Sequence, residues 1–446
     1  MLFKKRSKKE AGPLIRHYLP EGELGAHRFH LRSDTGKDGV LIVDSSKLIY
    51  LNGTALSYTR FYLEGLSDDE VVKHMRSLYR GATREKMKDD FKAFKRNFIG
   101  LINEDEKVTG SIGIQPISNG KMVLSSPYRM DLAITYRCQN KCGHCYNEPE
   151  RIKKELTTQD WKKILDRLWD AGVPHVVFTG GEPTLRDDLP ELIAYAEAKG
   201  QITGLITNGR KLADKGYLDG LVQAGLDHVQ ITVESFNPET HDEIVGFEGA
   251  RQETVSGLKN AVSADLYLVT NTSVLRRNIS GIGDTMNFLA GLGLRNTAFN
   301  GLIRAGLGKE ADAVTLDELQ PVLDEAMNTA REKGISLIWY TPTPYCELNP
   351  VNMGLGIRQC TACMINLAVE PNGDVLPCQS YYETLGNMLS DGWEDIWHHE
   401  LCEKIRSRSY APDGCSSCAL LDVCGGGCPL SWAAGDYMCM DKLSSG

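Results

Sequence analysis

From Tyr128 to Tyr340 the chain alternates between short apolar runs and amphipathic segments with helical spacing. The run MDLAITY reads as a buried strand, and the following LTTQDWKKILDRLWDAG places apolar residues on one helical face between a Thr157 N-cap and Gly172. Such units recur every ~25 to 30 residues, which is typical of parallel strands joined by helical crossovers. This pattern predicts an α/β fold, a partial (β/α)6 TIM-like barrel over residues 128–340.

Polar and glycine-rich motifs follow the predicted strands directly. CQNKC comes after the first strand, TGGEP after the second, TNG after the third and ES after the fourth. In barrel enzymes the active site lies at the carboxyl ends of the strands. We therefore expect these four motifs to meet at one site.

The sequence before the barrel predicts a separate winged-helix-like module over residues 1–108. Two β-rich runs form a hairpin at 39–52, and helices follow near Thr54–Leu63, after a Ser67/Glu70 capping box, and at Thr83–Leu101. Residues 1 to about 25 are expected to be flexible, and 109–127 to be a linker. After Thr341 the periodicity fades, so a domain over 341–446 should depend on metal to fold.

The thirteen cysteines are distributed unevenly. None precedes Cys138, three fall at 138–145, and ten fall between 346 and 439. The chain shows no signal peptide and no apolar run of the ~20 residues that cross a bilayer. We expect a cytoplasmic protein whose thiols bind metal, with no membrane partner. The net charge of −9 disfavours nucleic acid as a partner.

Cys138, Cys142 and Cys145 supply three thiolates on one loop. Ordinary zinc and iron–sulfur sites use four protein ligands. A four-iron cluster held by three thiolates would leave one iron open to an exogenous ligand. The alternatives are a zinc ion that borrows a distant ligand, or surface cysteines without a function.

This CxxxCxxC loop after the first strand, with His144 and Tyr146 flanking its third cysteine, resembles the radical S-adenosylmethionine (SAM) enzymes. GGEP (180–183), TNG (207–209) and VES (233–235) resemble the next three strand ends of that family. The likeness implies that the open iron binds the amino and carboxylate groups of SAM. It also implies reductive cleavage of SAM to a 5′-deoxyadenosyl radical that abstracts a substrate hydrogen.

The resemblance also implies which residues contact SAM. Gly180, Gly181 and Glu182 are expected at its amino group, and main-chain atoms near Tyr146 at the adenine. Thr232, Glu234 and Ser235 are candidates for the ribose, and Arg304 for the carboxylate. Thr207 and Asn208 complete the candidate set at the third strand end. A carboxylate can accept from an ammonium group, and an arginine can bind a carboxylate with two parallel hydrogen bonds.

The C-terminal cysteines resemble the SPASM extension of radical SAM enzymes, although two structural zinc sites are the alternative. The spacing is carried by CTACMINLAVEPNGDVLPC and CSSCALLDVCGGGC, followed by one more cysteine. The resemblance implies two auxiliary 4Fe–4S clusters, so that three clusters are expected in all. The first would be held by Cys360, Cys363, Cys378 and Cys428, and the second by Cys415, Cys418, Cys424 and Cys439. Cys346 could replace Cys360, and Cys402 is expected to be a small buried side chain.

LNGTALSYTRFYLEGLSDDEVVKHM in the N-terminal module resembles a PqqD-like peptide-recognition domain. Such domains bind the leader of a precursor peptide as an added strand. Together the three parts imply a maturase of a ribosomally made peptide that forms a crosslink, a thioether or ether, or an epimer. A reductase, flavodoxin or ferredoxin would donate electrons. The alternatives are radical chemistry on a small molecule or tetrapyrrole, and a multi-cluster electron-transfer protein.

The catalytic base is not assigned from the sequence. Anaerobic sulfatase maturases, which share the SPASM pattern, resemble one another in an Asp after the second auxiliary-cluster cysteine, and this chain has Gln379 there. That departure disfavours sulfatase maturation. Asp374, Tyr381 and Tyr382 lie nearby in sequence without a feature that selects one of them.

Overall fold

The computed structural model describes residues 4–5, 14–25, 27–33, 37–43, 47–81, 83–102, 114–116, 124–152, 154–311 and 313–437. The chain divides into two compact units, Met1–Ser125 and Ser126–Gly446.

The first unit combines a five-stranded antiparallel sheet, a two-stranded ribbon and three helices. The sheet order is β2-β3-β4-β5-β7, and β1 pairs with β6. The strands are β1 (Lys4–Lys5), β2 (Leu14–Tyr18), β3 (Phe29–Ser33), β4 (Gly39–Val43), β5 (Lys47–Leu51), β6 (Tyr79–Arg80) and β7 (Ile114–Pro116). The helices are α1 (Gly53–Leu63), α2 (Asp68–Leu78) and α3 (Arg84–Ile102).

The three helices form where the sequence predicts them. The side chain of Asn52 accepts hydrogen bonds from the first turn of α1, and Ser67 and Glu70 form the capping box of α2. The aromatic stripe of α3 is buried: the rings of Tyr58 and Phe91 stack 5.3 Å apart between centroids. The stripe is therefore core rather than a binding face.

One expectation for this unit was wrong, and the linker over 109–127 stays a prediction. Leu14–Tyr18 is strand β2, paired along its whole length with β3, so this part of the first 25 residues is ordered in the sheet. Within the expected linker, Ile114–Pro116 forms β7 on the edge of β5. The partner of β7 lies more than sixty residues earlier in the chain, which a short run does not reveal.

The second unit contains the parallel barrel sheet. Seven parallel strands lie in the order β14-β13-β12-β11-β10-β9-β8. They are β8 (Arg129–Thr135), β9 (His175–Gly180), β10 (Ile202–Thr207), β11 (His228–Thr232), β12 (Tyr267–Ser273), β13 (Asn296–Asn300) and β14 (Ser336–Trp339). The connecting helices are α4 (Thr158–Asp170), α5 (Leu189–Lys199), α6 (Lys215–Gln223), α7 (Pro238–Val245), α8 (Ala250–Val262), α9 (Ile282–Gly291) and α10 (Leu316–Lys333). The α/β partial barrel expected from the sequence is confirmed.

The C-terminal segment extends the same sheet, which the fading periodicity did not predict. Strand β15 (Asn366–Val369) pairs in parallel with β8, and β16 (Asp374–Leu376) and β17 (Gly386–Asn387) follow antiparallel. Five short helices complete it: α11 (Trp393–Trp397), α12 (Glu400–Arg406), α13 (Asp413–Ser416), α14 (Leu421–Cys424) and α15 (Pro429–Ala434). The strand pairing places this segment against the barrel edge nearest the first cysteine loop.

The barrel strands bury aliphatic side chains against the surrounding helices, and Trp161, Phe178 and Leu205 are fully buried among them. Of the helices in the described ranges, none is both long and apolar enough to cross a membrane.

Candidate functional site

The first three cysteines lie on a loop that other barrel elements hold in place. Lys141 donates its backbone N–H to the carbonyl of Val245 at the end of α7, at 2.8 Å. Arg210, after β10, donates from Nη1 to Oδ1 of Asn140 at 2.7 Å. Leu307 donates its N–H to the carbonyl of Cys145 at 2.8 Å. The loop is thus supported by the ends of three other βα units.

Gly180 and Gly181 let the end of β9 approach this loop closely. A Cβ at Gly180 would lie 2.0 Å from the carbonyl oxygen of Thr135, and one at Gly181 would lie 2.5 Å from that of Arg137. The N–H groups of Gly181 and Glu182 donate to these same carbonyls, each at 2.8 Å. Contact with the chain's own backbone already requires both glycines here. Their contact with a SAM amino group stays a prediction.

Glu182 joins the second and third strand ends. It is fully buried, and its Oε1 accepts from the backbone N–H of Thr184 at 3.0 Å, the hydroxyl of Thr184 at 2.6 Å and the hydroxyl of Thr207 at 2.8 Å. Its Oε2 accepts from the backbone N–H of Asn208 at 2.8 Å. Burial raises the pKa of Glu182, although the four hydrogen bonds favour its charged form. With four donors already bound, this carboxylate holds GGEP and TNG together.

Asn208 presents a buried donor beside the first cysteine. Its Oδ1 accepts from the backbone N–H of Arg210 at 3.0 Å, whereas its Nδ2 is buried and has no nitrogen or oxygen acceptor within the described residues. Desolvation raises the pKa of Cys138 to about 11, and the N–H of Asn140 and the side chain of Asn208 oppose that rise. A donor in this position suits an anionic sulfur or a bound polar ligand.

Glu234, at the fourth strand end, pairs with the cysteine loop. Its Oε1 lies 3.2 Å from Nε2 of His144, and its Oε2 accepts from the N–H of Ser273 at 2.9 Å. Burial alone would lower the pKa of His144, but the charge of Glu234 and their hydrogen bond raise it. Ser235 is buried and accepts from the N–H of Asn237, and Thr232 is half-buried at the end of β11. The ribose roles of these strand-4 residues stay predictions.

Arg304 is held by an acidic side chain rather than directed to an open ligand position. Its Nε donates to both carboxylate oxygens of Asp436 at 2.9 Å, its Nη2 to Oδ1 at 2.7 Å, and its Nη1 to the carbonyl of Ala311 at 2.9 Å. Binding of a SAM carboxylate by Arg304 stays a prediction, and it would require Asp436 to be displaced.

Tyr146 links the first cysteine loop to the C-terminal segment. Its hydroxyl donates to Oε1 of Gln379 at 2.6 Å, and the hydroxyl of Tyr382 donates to its carbonyl at 3.0 Å. Burial and then the charge of Cys145 raise the pKa of Tyr146, and Cys378 adds to the effect. The phenol therefore lies near one cysteine of each loop.

A buried carboxylate beside this link was missed from the sequence. Glu370, which follows β15, accepts from the hydroxyl of Tyr136 at 3.0 Å and pairs with Arg151 at 3.2 Å. The guanidinium of Arg151 also lies 4.8 Å from the ring centroid of Tyr382. More than two hundred residues separate Glu370 from its partners, so no local pattern could have found them. Asp374, by contrast, accepts from Asn372 and Asn387 within the β16–β17 hairpin.

Three cysteines of the first expected auxiliary set lie close enough together for the charge of one thiolate to raise the pKa of another. Burial and then Cys428 raise the pKa of Cys360 to about 11, and burial and then Cys360 raise that of Cys378 to about 12. The thiol of Cys363 instead lies against that of Cys402, which is fully buried in α12. The expectation of a buried Cys402 therefore agrees with the structure, which adds its contact with Cys363.

The second expected set gathers around α13 and α14. Burial and then the charges of Cys424 and Cys418 raise the pKa of Cys415. The N–H of Tyr345 donates to Sγ of Cys424 at 3.3 Å, which places the neighbouring Cys346 beside this set. Cys360, by contrast, lies beside Cys378 and Cys428, which favours Cys360 over Cys346 for the first set. Cys439, the last expected ligand, lies outside the described residues.

These thiols are the ligands that an iron–sulfur cluster uses. The thiolates of a four-iron cluster bind separate irons and need not converge on one point, unlike the ligands of a tetrahedral zinc site. The free thiols of the first loop and the buried donor of Asn208 suit an iron–sulfur cluster with an exogenous ligand.

Two family models match this chain. The radical SAM superfamily model matches residues 132–289, and the SPASM model, described as an iron-sulfur cluster-binding domain, matches 360–419.

Curated relatives align over about two thirds of this chain. The PqqA peptide cyclase of Granulibacter bethesdensis is 30% identical over 319 residues, which cover 68% of this chain and 83% of the relative. The PqqA peptide cyclase of Bradyrhizobium diazoefficiens is 32% identical over 319 residues, covering 68% of this chain and 81% of the relative.

Solved structures share the fold. Streptococcus suis SuiB bound to precursor peptide SuiA has a TM-score of 0.65 at 18% identity, covering 89% of this chain and 94% of that one. Native anSMEcpe with bound AdoMet has a TM-score of 0.55 at 17% identity, covering 68% of this chain and 89% of that one. Family models and relatives agree with the cysteine loop and the strand-end motifs: the chain belongs to the radical SAM superfamily, as an enzyme that carries a SPASM iron–sulfur domain.

Proposed function

We propose that this enzyme modifies a ribosomally made precursor peptide by radical chemistry. A SAM-binding 4Fe–4S cluster on Cys138, Cys142 and Cys145 would supply one electron for reductive cleavage of SAM to a 5′-deoxyadenosyl radical. The observation that carries the proposal is the three-thiol loop. The GGEP, TNG and VES strand ends hold this loop in place. Glu182 and Arg210 keep the strand ends and the loop in register for that chemistry.

A peptide substrate is supported by the relatives rather than by a bound ligand. Their name, PqqA peptide cyclase, describes a crosslinking reaction on a peptide. The fold likeness to a maturase solved with its precursor peptide extends over 89% of this chain. We therefore favour a crosslink within the peptide over a thioether, an ether or an epimer.

The first unit would hold the leader of that peptide in the manner of a PqqD-like domain. Among the described strands, β2 pairs with β3 alone, so one of its edges is open to an added strand. At the opposite edge only three residues of β7 pair with β5. Addition of a strand to an exposed sheet edge is a recurrent mode of peptide binding.

Two auxiliary 4Fe–4S clusters would complete the cofactor set, on Cys360, Cys363, Cys378 and Cys428 and on Cys415, Cys418, Cys424 and Cys439. A flavodoxin or ferredoxin with its reductase would supply electrons. Tyr146 and Gln379 join the first loop to the first auxiliary set, so they would lie near a peptide carbon that loses hydrogen to the radical and passes an electron to an auxiliary cluster.

The first test separates SAM chemistry from peptide chemistry. The reconstituted enzyme with SAM and dithionite should form 5′-deoxyadenosine, and Cys142→Ala should abolish it. Absence of 5′-deoxyadenosine from enzyme with a full iron content would refute the radical proposal.

The second test addresses the substrate and the leader. A peptide encoded by a short reading frame beside the gene should lose two hydrogens in mass on turnover if a crosslink forms. Hydrogen–deuterium exchange of the full chain with that peptide should show new protection in β2 or β5. Turnover without protection anywhere in the first unit would contradict leader binding there while leaving the maturase proposal intact.

A further inference from the structure

Arg408 occupies a backbone position that favours glycine. Helix α12 ends at Arg406 with Ser407 as its C-cap, and the next two N–H groups turn back: Arg408 donates to the carbonyl of Ile405 and Ser409 to that of Lys404, each at 3.2 Å. This is a Schellman motif with Arg408 at its left-handed residue, φ 61°. A Cβ makes that conformation unfavourable, which is why glycine is usual there.

Other helices of the chain follow the usual preference. Nine of those in the described residues end on or directly before a left-handed glycine, namely Gly65, Gly172, Gly200, Gly225, Gly246, Gly293, Gly334, Gly425 and Gly435. Among the described residues only Cys363 and Arg408 combine a side chain with a positive φ. Strain of this kind concentrates at functional sites, and here both strained residues belong to the surroundings of the first auxiliary cysteine set.

The Arg408 side chain reaches into that set. Its Nη2 donates to Oε1 of Gln359 at 2.7 Å and contacts Sδ of Met364 at 3.1 Å. These two residues directly flank Cys360 and Cys363 in sequence. A Cβ at Gly425, next to Cys424, would lie 3.3 Å from the guanidinium carbon. The charge of the guanidinium and its hydrogen bond to the thiol of Cys360 lower the pKa of that thiol, against the larger effect of burial.

The charge of Arg408 has no acidic partner in the described part of the chain. Besides the thiol of Cys360, its hydrogen-bond partners there are Gln359, Met364 and Tyr410, none of which is a carboxylate. Nearby Arg406, in contrast, pairs with Glu403 at 2.8 Å. An arginine is always protonated, and a half-buried cation without a carboxylate calls for another anion close by. Four thiolates with an iron–sulfur cluster would be that anion.

From this placement we infer that Arg408 raises the reduction potential of the auxiliary cluster held by Cys360 and its neighbours, at the cost of a strained helix end. The inference rests on the proposed cluster assignment. A cluster bound by four thiolates is anionic, and it gains one further negative charge when it accepts an electron. A fixed cation therefore stabilises the reduced form more than the oxidised form.

The test uses two substitutions of Arg408 in the reconstituted full chain. Arg408→Gly removes the charge and the strain together, whereas Arg408→Lys keeps a charge. Lys404→Gln, which removes an exposed charge from the same helix, is the matched control. Midpoint potentials are measured by dithionite titration followed by electron paramagnetic resonance, beside iron content and thermal unfolding.

We expect Arg408→Gly to keep its iron, to unfold no earlier than the parent, and to lower one auxiliary potential. The reduced fraction at a fixed potential should fall at least about tenfold, which is 59 mV for one electron. Arg408→Lys should retain most of the parent potential, and Lys404→Gln all of it. Loss of the cluster from Arg408→Gly but not from Arg408→Lys would also support a need for the charge.

An unchanged auxiliary potential in iron-replete Arg408→Gly would overturn the inference, and so would loss of the cluster from both variants, because packing would then explain the residue. A parent enzyme with no auxiliary signal would instead refute the cluster assignment in the proposed function.

Discussion

The hydroxyl of Tyr146 donates to Oε1 of Gln379 at 2.6 Å, and this hydrogen bond joins the residue after Cys145 to the residue after Cys378. One bond thus connects the loop expected to hold the SAM cluster with the first auxiliary set. The second of these positions is where the sequence departs from the Asp in which anaerobic sulfatase maturases resemble one another. In this chain the neutral amide of Gln379 accepts the hydrogen bond from the phenol and does not take up its proton.

The hydrogen bond between Tyr146 and Gln379 should contribute measurably to the free energy of unfolding, and the effects of substituting the two residues should be coupled. Tyr146→Phe should lower the free energy of unfolding by about 1 kcal/mol, because a partly buried neutral hydrogen bond is lost. In a double-mutant cycle with Gln379→Leu, denaturant titrations should give a coupling energy of about 1 kcal/mol. Additive effects of the two substitutions would show that the bond does not form in solution.

The close approach at Gly181 should make that position intolerant of a side chain. Gly181→Ala would put a Cβ 2.5 Å from the carbonyl of Arg137 and force the cysteine loop away from β9. We expect reconstituted Gly181→Ala to lose the iron of the first cluster and most 5′-deoxyadenosine formation.

Gly143→Ala is the matched control for this prediction. Gly143 lies in the same loop, and a Cβ there has no neighbour within 4 Å. This variant should keep its iron and its SAM cleavage. Equal iron contents in the two variants would contradict the close approach of β9 to the loop.

Glu182 should be needed for stability as well as for SAM chemistry. Glu182→Gln replaces an acceptor oxygen with an amide donor that faces N–H or O–H groups, so at least one buried donor loses its partner. The free energy of unfolding should fall by about 1–3 kcal/mol. Urea titration measures the change. Glu191→Gln, at an exposed glutamate of α5, should change the free energy of unfolding by less than about 0.5 kcal/mol. Equal effects of the two substitutions would contradict the role of the hydrogen bonds that Glu182 accepts.

A histidine pair, of which His175 is buried and His228 half-buried, should make the second unit sensitive to acid. Nε2 of His228 lies 2.7 Å from Nε2 of His175, and burial followed by the charge of Arg129 lowers the pKa of His228 to about 4. Its ordinary value is 6.5. The neutral form therefore stabilises the fold fully above pH 6.5, and that contribution is lost as the pH falls towards 4.

The measurement is the free energy of unfolding between pH 7.5 and pH 5. His228 should contribute a slope of up to about 1.4 kcal/mol per pH unit, which His228→Gln should remove. The same substitution at His398, whose side chain is exposed, should leave the slope as in the parent. A parent slope that survives His228→Gln would assign the acid sensitivity to other groups.

The sequence alone determined the barrel, its strand-end motifs and the grouping of its cysteines into an N-terminal loop and a C-terminal segment. These features are local. An apolar run, a cap or a CxxxCxxC spacing extends over about ten residues, so it can be recognised without knowledge of the tertiary structure. The same holds for α1, α2 and α3, whose caps and apolar faces are encoded within each helix.

Only the tertiary structure decided which partners the polar groups use. Glu182 turned out to bind four donors of its own chain, Arg304 to bind Asp436, and Glu370 to bind Tyr136 from the far end of the sequence. Strand β15 joined the barrel edge beside β8 across more than two hundred residues. Hydrogen bonds and strand pairing depend on distances of about 3–5 Å in space, which spacing along the chain does not constrain. The charge of Arg408 beside the first auxiliary set belongs to the same class, because the fold alone brings α12 to Cys360.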